Sequence, residues 1–89
     1  MAAINTLADK SIKAALKQAR EVGKPVTVND GGGLSLICRP DAVGWWRLRY
    51  WLEGRENRLS LGTYPDVSLA DARTRRDDAR KLIAAGTDP

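Results

Sequence analysis

Arg47, Arg49 and Trp51 recur at every second position of one short run, and Arg58 and Ser60 do so in the next. A planar guanidinium offers paired donors that match a phosphate or the major-groove edge of guanine. Arginines repeated along one side of a strand therefore point to nucleic-acid chemistry. The interleaved positions Trp46, Leu48, Tyr50 and Leu52 are apolar or aromatic, the alternation of a half-buried strand. Glu53-Gly54 between the runs reads as a two-residue hairpin turn. That loop places Leu52 opposite Arg55, Tyr50 opposite Asn57, Leu48 opposite Leu59 and Trp46 opposite Leu61. The other face then sets Arg49 against Arg58 and Arg47 against Ser60. Like charges directly opposite each other destabilise a sheet, and a polyanion laid across this face removes the penalty.

Elements on either side must hold the hairpin in place. Ile12, Ala15, Leu16 and Ala19 recur at helical spacing, predicting an amphipathic helix over 9–22 that stops at Gly23-Lys24-Pro25. Val26-Thr27-Val28 is a short strand, and Asp30-Gly31-Gly32 reads as a turn into Leu34-Ser35-Leu36-Ile37-Cys38. A sheet over 26–61 follows, with Gly62-Thr63-Tyr64-Pro65-Asp66 turning the chain beyond it. Ser68, with Asp71 three residues on, starts a second helix over 68–85. Leu69, Ala72, Ala79, Leu82 and Ile83 form its apolar stripe, and Gly86 caps it. Residues 86–89 read as the start of a linker. The expected fold is α+β: three or four antiparallel strands, a long C-terminal helix on the apolar face, and an additional N-terminal helix. The opposite face then shows Ser35, Ile37, Arg39, Arg47, Arg49, Trp51, Arg58 and Ser60.

Composition narrows the chemistry. A chain of 89 residues supports one small domain with little room for a deep cleft. The net charge is +4 and the pI near 9.6, a moderate basic bias. From Arg39 onward nine of the ten basic residues are Arg, whereas the earlier stretch carries Lys10, Lys13, Lys17 and Lys24 around Arg20. The single Cys38 excludes an intrachain disulfide and fits a reducing cytoplasm. The absence of His removes the commonest general base and metal ligand, so neither an enzymatic role nor a cofactor is expected. No apolar run approaches the length of a membrane span, and the N-terminus lacks the pattern of a signal peptide.

In sequence the chain resembles the N-terminal arm-type DNA-binding domain of phage and genomic-island integrases of the tyrosine recombinase class. The signals are Asp30-Gly31-Gly32-Gly33-Leu34, Trp46-Arg47-Leu48-Arg49-Tyr50, Gly54, Leu59-Ser60-Leu61-Gly62 and Tyr64-Pro65, then Ser68-Leu69-Ala70-Asp71-Ala72-Arg73 and Gly86-Thr87-Asp88-Pro89. They cover nearly the whole chain in order. The stretch from Lys10 to Lys24 departs from the pattern, being longer than the family's usual helix and linker. The resemblance implies sequence-specific binding of double-stranded DNA at arm-type attachment sites. It also implies core-binding and catalytic domains beyond this module, so Tyr50 and Tyr64 are not read as nucleophiles.

The expected DNA-binding residues are Ser35, Ile37, Arg39, Arg47, Arg49, Trp51, Arg55, Arg58 and Ser60, with no catalytic or metal site. The competing reading of this face is a solvated strand surface that blocks edge pairing. Trp51 either stacks on a base or covers the sheet beside Glu56. Trp46 reads as core, Trp45 has outward parity without an assigned role, and Gly31-Gly32-Gly33 reads as a turn rather than a phosphate loop. Cys38 reads as a small buried hydrophobe. Arg75 and Arg76 lie near the helix stripe, with stems packed and heads reaching the sheet edge or a phosphate. Two other functions stay open: an interaction module docking on integrase protomers or accessory proteins through Ile12, Ile37 and Trp51, and single-stranded nucleic-acid binding.

Overall fold

The computed structural model describes residues 5–89. Helix α1 (Asp9–Val22) leads into strands β1 (Val26–Gly31), β2 (Leu34–Cys38), β3 (Gly44–Leu52) and β4 (Arg55–Tyr64), followed by helix α2 (Leu69–Ala84). The strands form one antiparallel meander in the order β1-β2-β3-β4. Both helices cover the same face of it, as the α+β expectation requires. Ile12, Ala15 and Ala19 of α1 and Leu69, Ala72 and Ala79 of α2 share a core with Leu34, Leu36, Trp46, Leu48 and Leu61.

The helix ends obey local chemistry. Gly23 adopts φ 68° and its N–H donates to the Ala19 carbonyl at 2.9 Å, closing α1 in a left-handed cap. At the start of α2 the Ser68 hydroxyl accepts from the Asp71 N–H at 3.1 Å. Its end is a Schellman motif, with Thr87 N–H on Leu82 O at 2.8 Å and Gly86 N–H on Ile83 O at 2.9 Å. Residues 86–89 are tied back to the sheet, because the Tyr50 hydroxyl donates to Asp88 Oδ1 at 2.5 Å. That bond, with burial and the Asp88 charge, raises the Tyr50 phenol above its ordinary pKa.

Three local expectations are corrected. β1 runs on to Gly31, so the turn is Gly32-Gly33 rather than Asp30-Gly31-Gly32. The Gly33 carbonyl accepts the Arg49 N–H at 2.8 Å, and a Cβ there would strike the Arg49 carbonyl oxygen, so the turn has no room for a side chain. In the β3–β4 hairpin the pairing holds from Leu52–Arg55 to Arg47–Ser60, but Trp46 stands opposite Gly62, not Leu61. A β-bulge supplies the extra residue. It keeps Leu61 buried and brings Val67 over the sheet, where the Trp46 indole N–H donates to the Val67 carbonyl at 2.7 Å. β4 then continues to Tyr64, past the expected limit at 61.

The third correction concerns α2. Leu82 is exposed, and the middle of the stripe is Arg76, only 2% accessible. Its place near the stripe predicts a packed stem only, with the head at the sheet edge or a phosphate. The structure buries the head as well, because Asp30, fully buried on β1, supplies the counter-charge. Arg76 NH1 lies 3.2 Å from Asp30 Oδ2, and Arg73 donates through Nε and NH2 at 2.9 and 2.8 Å to the two carboxylate oxygens. The Leu7 N–H completes the set at 2.8 Å on Oδ1. Arg73 also donates to the Leu7 carbonyl at 2.8 Å, and Arg76 to the Asn5 side chain at 2.9 Å. One carboxylate thus joins the N-terminal segment, the sheet and α2. Burial pushes the Asp30 carboxyl up, but the Arg73 and Leu7 hydrogen bonds and the charges of Arg73 and Arg76 outweigh it and hold it below the ordinary value.

Candidate nucleic-acid interface

With both helices on one side, the other face of the sheet is open. Strand alternation delivers Thr27 and Asn29 from β1, Ser35 and Ile37 from β2, Arg47 and Arg49 from β3, and Arg58 from β4 to a single concavity of about 480 Å3. Gly31 at the end of β1 and the Gly32-Gly33 turn also line it. Five of the nine expected residues meet here: Ser35, Ile37, Arg47, Arg49 and Arg58. Thr27 and Asn29 were not singled out in the sequence, although their alternation with Val26 and Val28 carried the signal.

The remaining four lie around it. Ser60 is on the same face, opposite Arg47. Trp51 is 62% exposed and pairs with Glu56 near the hairpin tip. It borders a second concavity, of about 490 Å3, with Arg49, Arg80 and Ile83. Arg39 follows the end of β2 and sits 3.5 Å from Asp41, with both side chains exposed. Arg55, expected to bind DNA without being placed on the open face, lies away from the concavity. Its partner is Leu52, so strand parity places it on the helix side of the sheet, exposed at the hairpin tip. Arg75, offered a choice of partners, reaches the sheet and donates to the Leu61 carbonyl at 2.9 Å, while Arg76 is buried.

Trp45 is the residue that outward parity flagged without a role. Its indole N–H donates to Ser60 Oγ at 2.6 Å, and the Arg47 guanidinium carbon lies 4.1 Å from its ring centroid. The stack restricts Arg47, and the Ser60 hydroxyl keeps its own proton for an external acceptor. Glu56, opposite Trp51, has a role on this face that strand parity alone did not reveal. Its Oε1 lies 3.6 Å from Arg49 Nε, so the face carries an internal counter-charge beside the Arg49–Arg58 pair. The like-charge penalty inferred from the sequence is thereby partly relieved without a ligand. No group of three or more His, Cys, Asp or Glu side chains among the described residues is placed to hold a metal ion. No helix among them is long and apolar enough to cross a membrane.

A four-stranded antiparallel sheet with one helix-covered face and one arginine-bearing face defines a small recognition module built around an open sheet. The sequence matches the Arm DNA-binding domain family over residues 7–89, and the chain belongs to that family. It is 40% identical over 77 residues to prophage integrase IntZ of Escherichia coli (strain K12), covering 84% of this chain and 19% of that protein. To the integrase of Enterobacteria phage P4 it is 38% identical over 76 residues, 83% of this chain and 17% of the relative. The integrase of Shigella phage Sf6 is 38% identical over 74 residues, 83% of this chain and 19% of the relative. The chain therefore spans under a fifth of the length of these relatives. The resemblance read from the motifs is confirmed at the level of the family.

Proposed function

We propose that the open sheet face seats in the major groove of duplex DNA at arm-type sites and so positions an integrase for site-specific recombination. The observation that carries this reading is the shared concavity of Arg47, Arg49 and Arg58 on the face that neither helix covers. A strand pair fits the major groove, where base edges present distinct donors and acceptors. Arg47, held by Trp45, is the best-ordered candidate for reading a base. Arg49, with 64% of its side chain exposed, can exchange Glu56 for a phosphate or a base. On this reading the module acts in the bacterial cytoplasm, and the chemistry of strand exchange belongs to other domains of a longer integrase. Fellow protomers and DNA-bending proteins are its expected companions.

Fluorescence anisotropy with a cognate arm-type duplex tests the reading. Arg47→Ala and Arg49→Ala should each weaken binding by about 1–3 kcal/mol if the side chain reads a base. A residue that contacts only phosphate should instead lower the slope of log affinity against log salt by roughly 0.9. Unchanged affinity and slope in both variants would remove the sheet face as the contact surface. The exposure of Trp51 keeps single-stranded nucleic acid as a second reading, since an open indole stacks on unpaired bases. Stronger competition by single strands than by duplex would select it.

A further inference from the structure

A second cationic surface lies on the opposite side of the molecule, and the sheet-face reading does not use it. On α1, the buried Ile12, Ala15 and Ala19 face the sheet. At 100° per residue, Lys10, Lys13 and Lys17 project within about 60° of one another on the outer face, with Arg20 flanking them. All four are exposed, and no ion pair among the described residues engages any of them. From Lys10 to Lys17 the row runs about 10 Å along the helix axis. Exposed carboxylates on α1 are confined to its two ends, Asp9 and Glu21, whereas on α2 Asp71, Asp77 and Asp78 alternate along the helix with Arg75, Arg80 and Lys81.

The two surfaces also differ in kind. The sheet face carries only arginine as its cation, whereas four of the chain's five lysines lie on α1 or just after it at Lys24. A lysine ammonium is a strongly hydrated point charge on a flexible stem, suited to neutralising phosphate without demanding a fixed geometry. A row of them binds the backbone of a polyanion irrespective of sequence. The sheet and the α1 layer stand between the two surfaces, so a straight duplex seated on the arginines does not touch the lysines.

We infer that the outer face of α1 is a sequence-independent docking surface for the phosphate backbone of a second DNA segment, so that one domain bridges two duplexes. This rests on the sheet-face reading for the first duplex only. The test anchors a cognate arm-type duplex at low density, saturates it with the full chain, and adds a labelled duplex of unrelated sequence at low salt. The unaltered protein should retain the second duplex. The triple variant K10Q/K13Q/K17Q, altered only at exposed positions, should bind the anchored duplex with affinity within about twofold. It should lose capture of the second, with the salt slope of capture falling by roughly 2.7. Absence of capture by the unaltered protein overturns the inference. So does undiminished capture by the triple variant, which would assign bridging to self-association. Failure of the sheet-face reading looks different: the anchored duplex would then bind independently of Arg47 and Arg49.

Discussion

The Arg47 guanidinium carbon lies over the Trp45 ring, 4.1 Å from its centre, on the face of the sheet that both helices leave open. The same indole donates to Ser60 on the neighbouring strand. Trp45 therefore holds two groups of the proposed interface without being one of its cations. Trp45→Phe keeps the stack and deletes the hydrogen bond, while Trp45→Ala deletes both. On the sheet-face reading, Trp45→Ala should weaken duplex binding by about 1 kcal/mol and Trp45→Phe by less. Titration of both variants against one cognate duplex checks the order. Equal losses would show that the stack contributes nothing.

Glu56 is the one carboxylate within ion-pair distance of Arg47, Arg49 or Arg58 among the described residues. Its charge opposes a phosphate and relieves the Arg49–Arg58 repulsion at once. Glu56→Gln should strengthen binding to any duplex about threefold at low salt, the gain shrinking as the Debye length shortens. A loss of affinity confined to one sequence would mean instead that Glu56 accepts a hydrogen bond from a base, as carboxylates do from cytosine.

The Asp30–Arg73–Arg76 cluster is a structural bond between elements. Removing one partner of a buried pair leaves an uncompensated charge, which costs about 3–5 kcal/mol. Asp30→Ala should lower the urea midpoint accordingly, and Arg76→Met should do so by a comparable amount. Hydrogen exchange at Leu7, whose N–H is held by Asp30, should rise in Asp30→Ala. If that amide is unchanged, the carboxylate does not tether the N-terminal segment.

The same cluster sets an acid limb. The Asp30 carboxyl lies below its ordinary value of 3.8 in the folded protein. The unfolded chain therefore takes up the proton first as the pH falls. The stabilisation is fully present above about pH 5 and is lost as the pH falls through 3.8 toward the folded value. Urea melts from pH 6 to pH 2 should show this decline, and Asp30→Asn should flatten it. An identical decline in Asp30→Asn would place the effect in other carboxylates.

Glycine at position 33 is demanded twice, by φ 87° and by the Arg49 carbonyl that a Cβ would strike. Gly54 shares a positive φ of 76° but has open space around it. Gly54→Ala should cost only the left-handed backbone penalty, about 1 kcal/mol. Gly33→Ala should cost more and also disturb the β2–β3 junction beneath Arg49. Thermal melts of the two variants compare them directly. Equal melting temperatures would show that the turn at Gly33 relaxes freely.

Local patterns in the chain announced most of the architecture. Period-two alternation predicted the β3–β4 pairing from Leu52–Arg55 to Arg47–Ser60, because each residue's face follows from its neighbour's. Helical spacing and cap residues predicted α1 and the start of α2, since those signals act within a few residues. Prediction failed where a contact joins distant parts of the chain. The packed stem of Arg76 was legible from its place near the stripe, but its buried partner Asp30, 46 residues away, was not. Trp46 stands opposite Gly62 across a bulge, and its indole N–H meets the Val67 carbonyl 21 residues away, a contact no local pattern announces.

For the interface the division follows the same line. The sequence by itself determined that Arg47, Arg49, Arg58, Ser35 and Ile37 share a sheet face, since strand parity is a property of the backbone repeat. It determined the parity of Arg55 as well, opposite Leu52 and off that face. Only the tertiary structure decided that Trp45 stacks on Arg47, that Glu56 tempers the arginines, and that α1 turns its lysines away from them. Those relations depend on how side chains from separate strands and helices meet in space, and no interval along the chain encodes that distance.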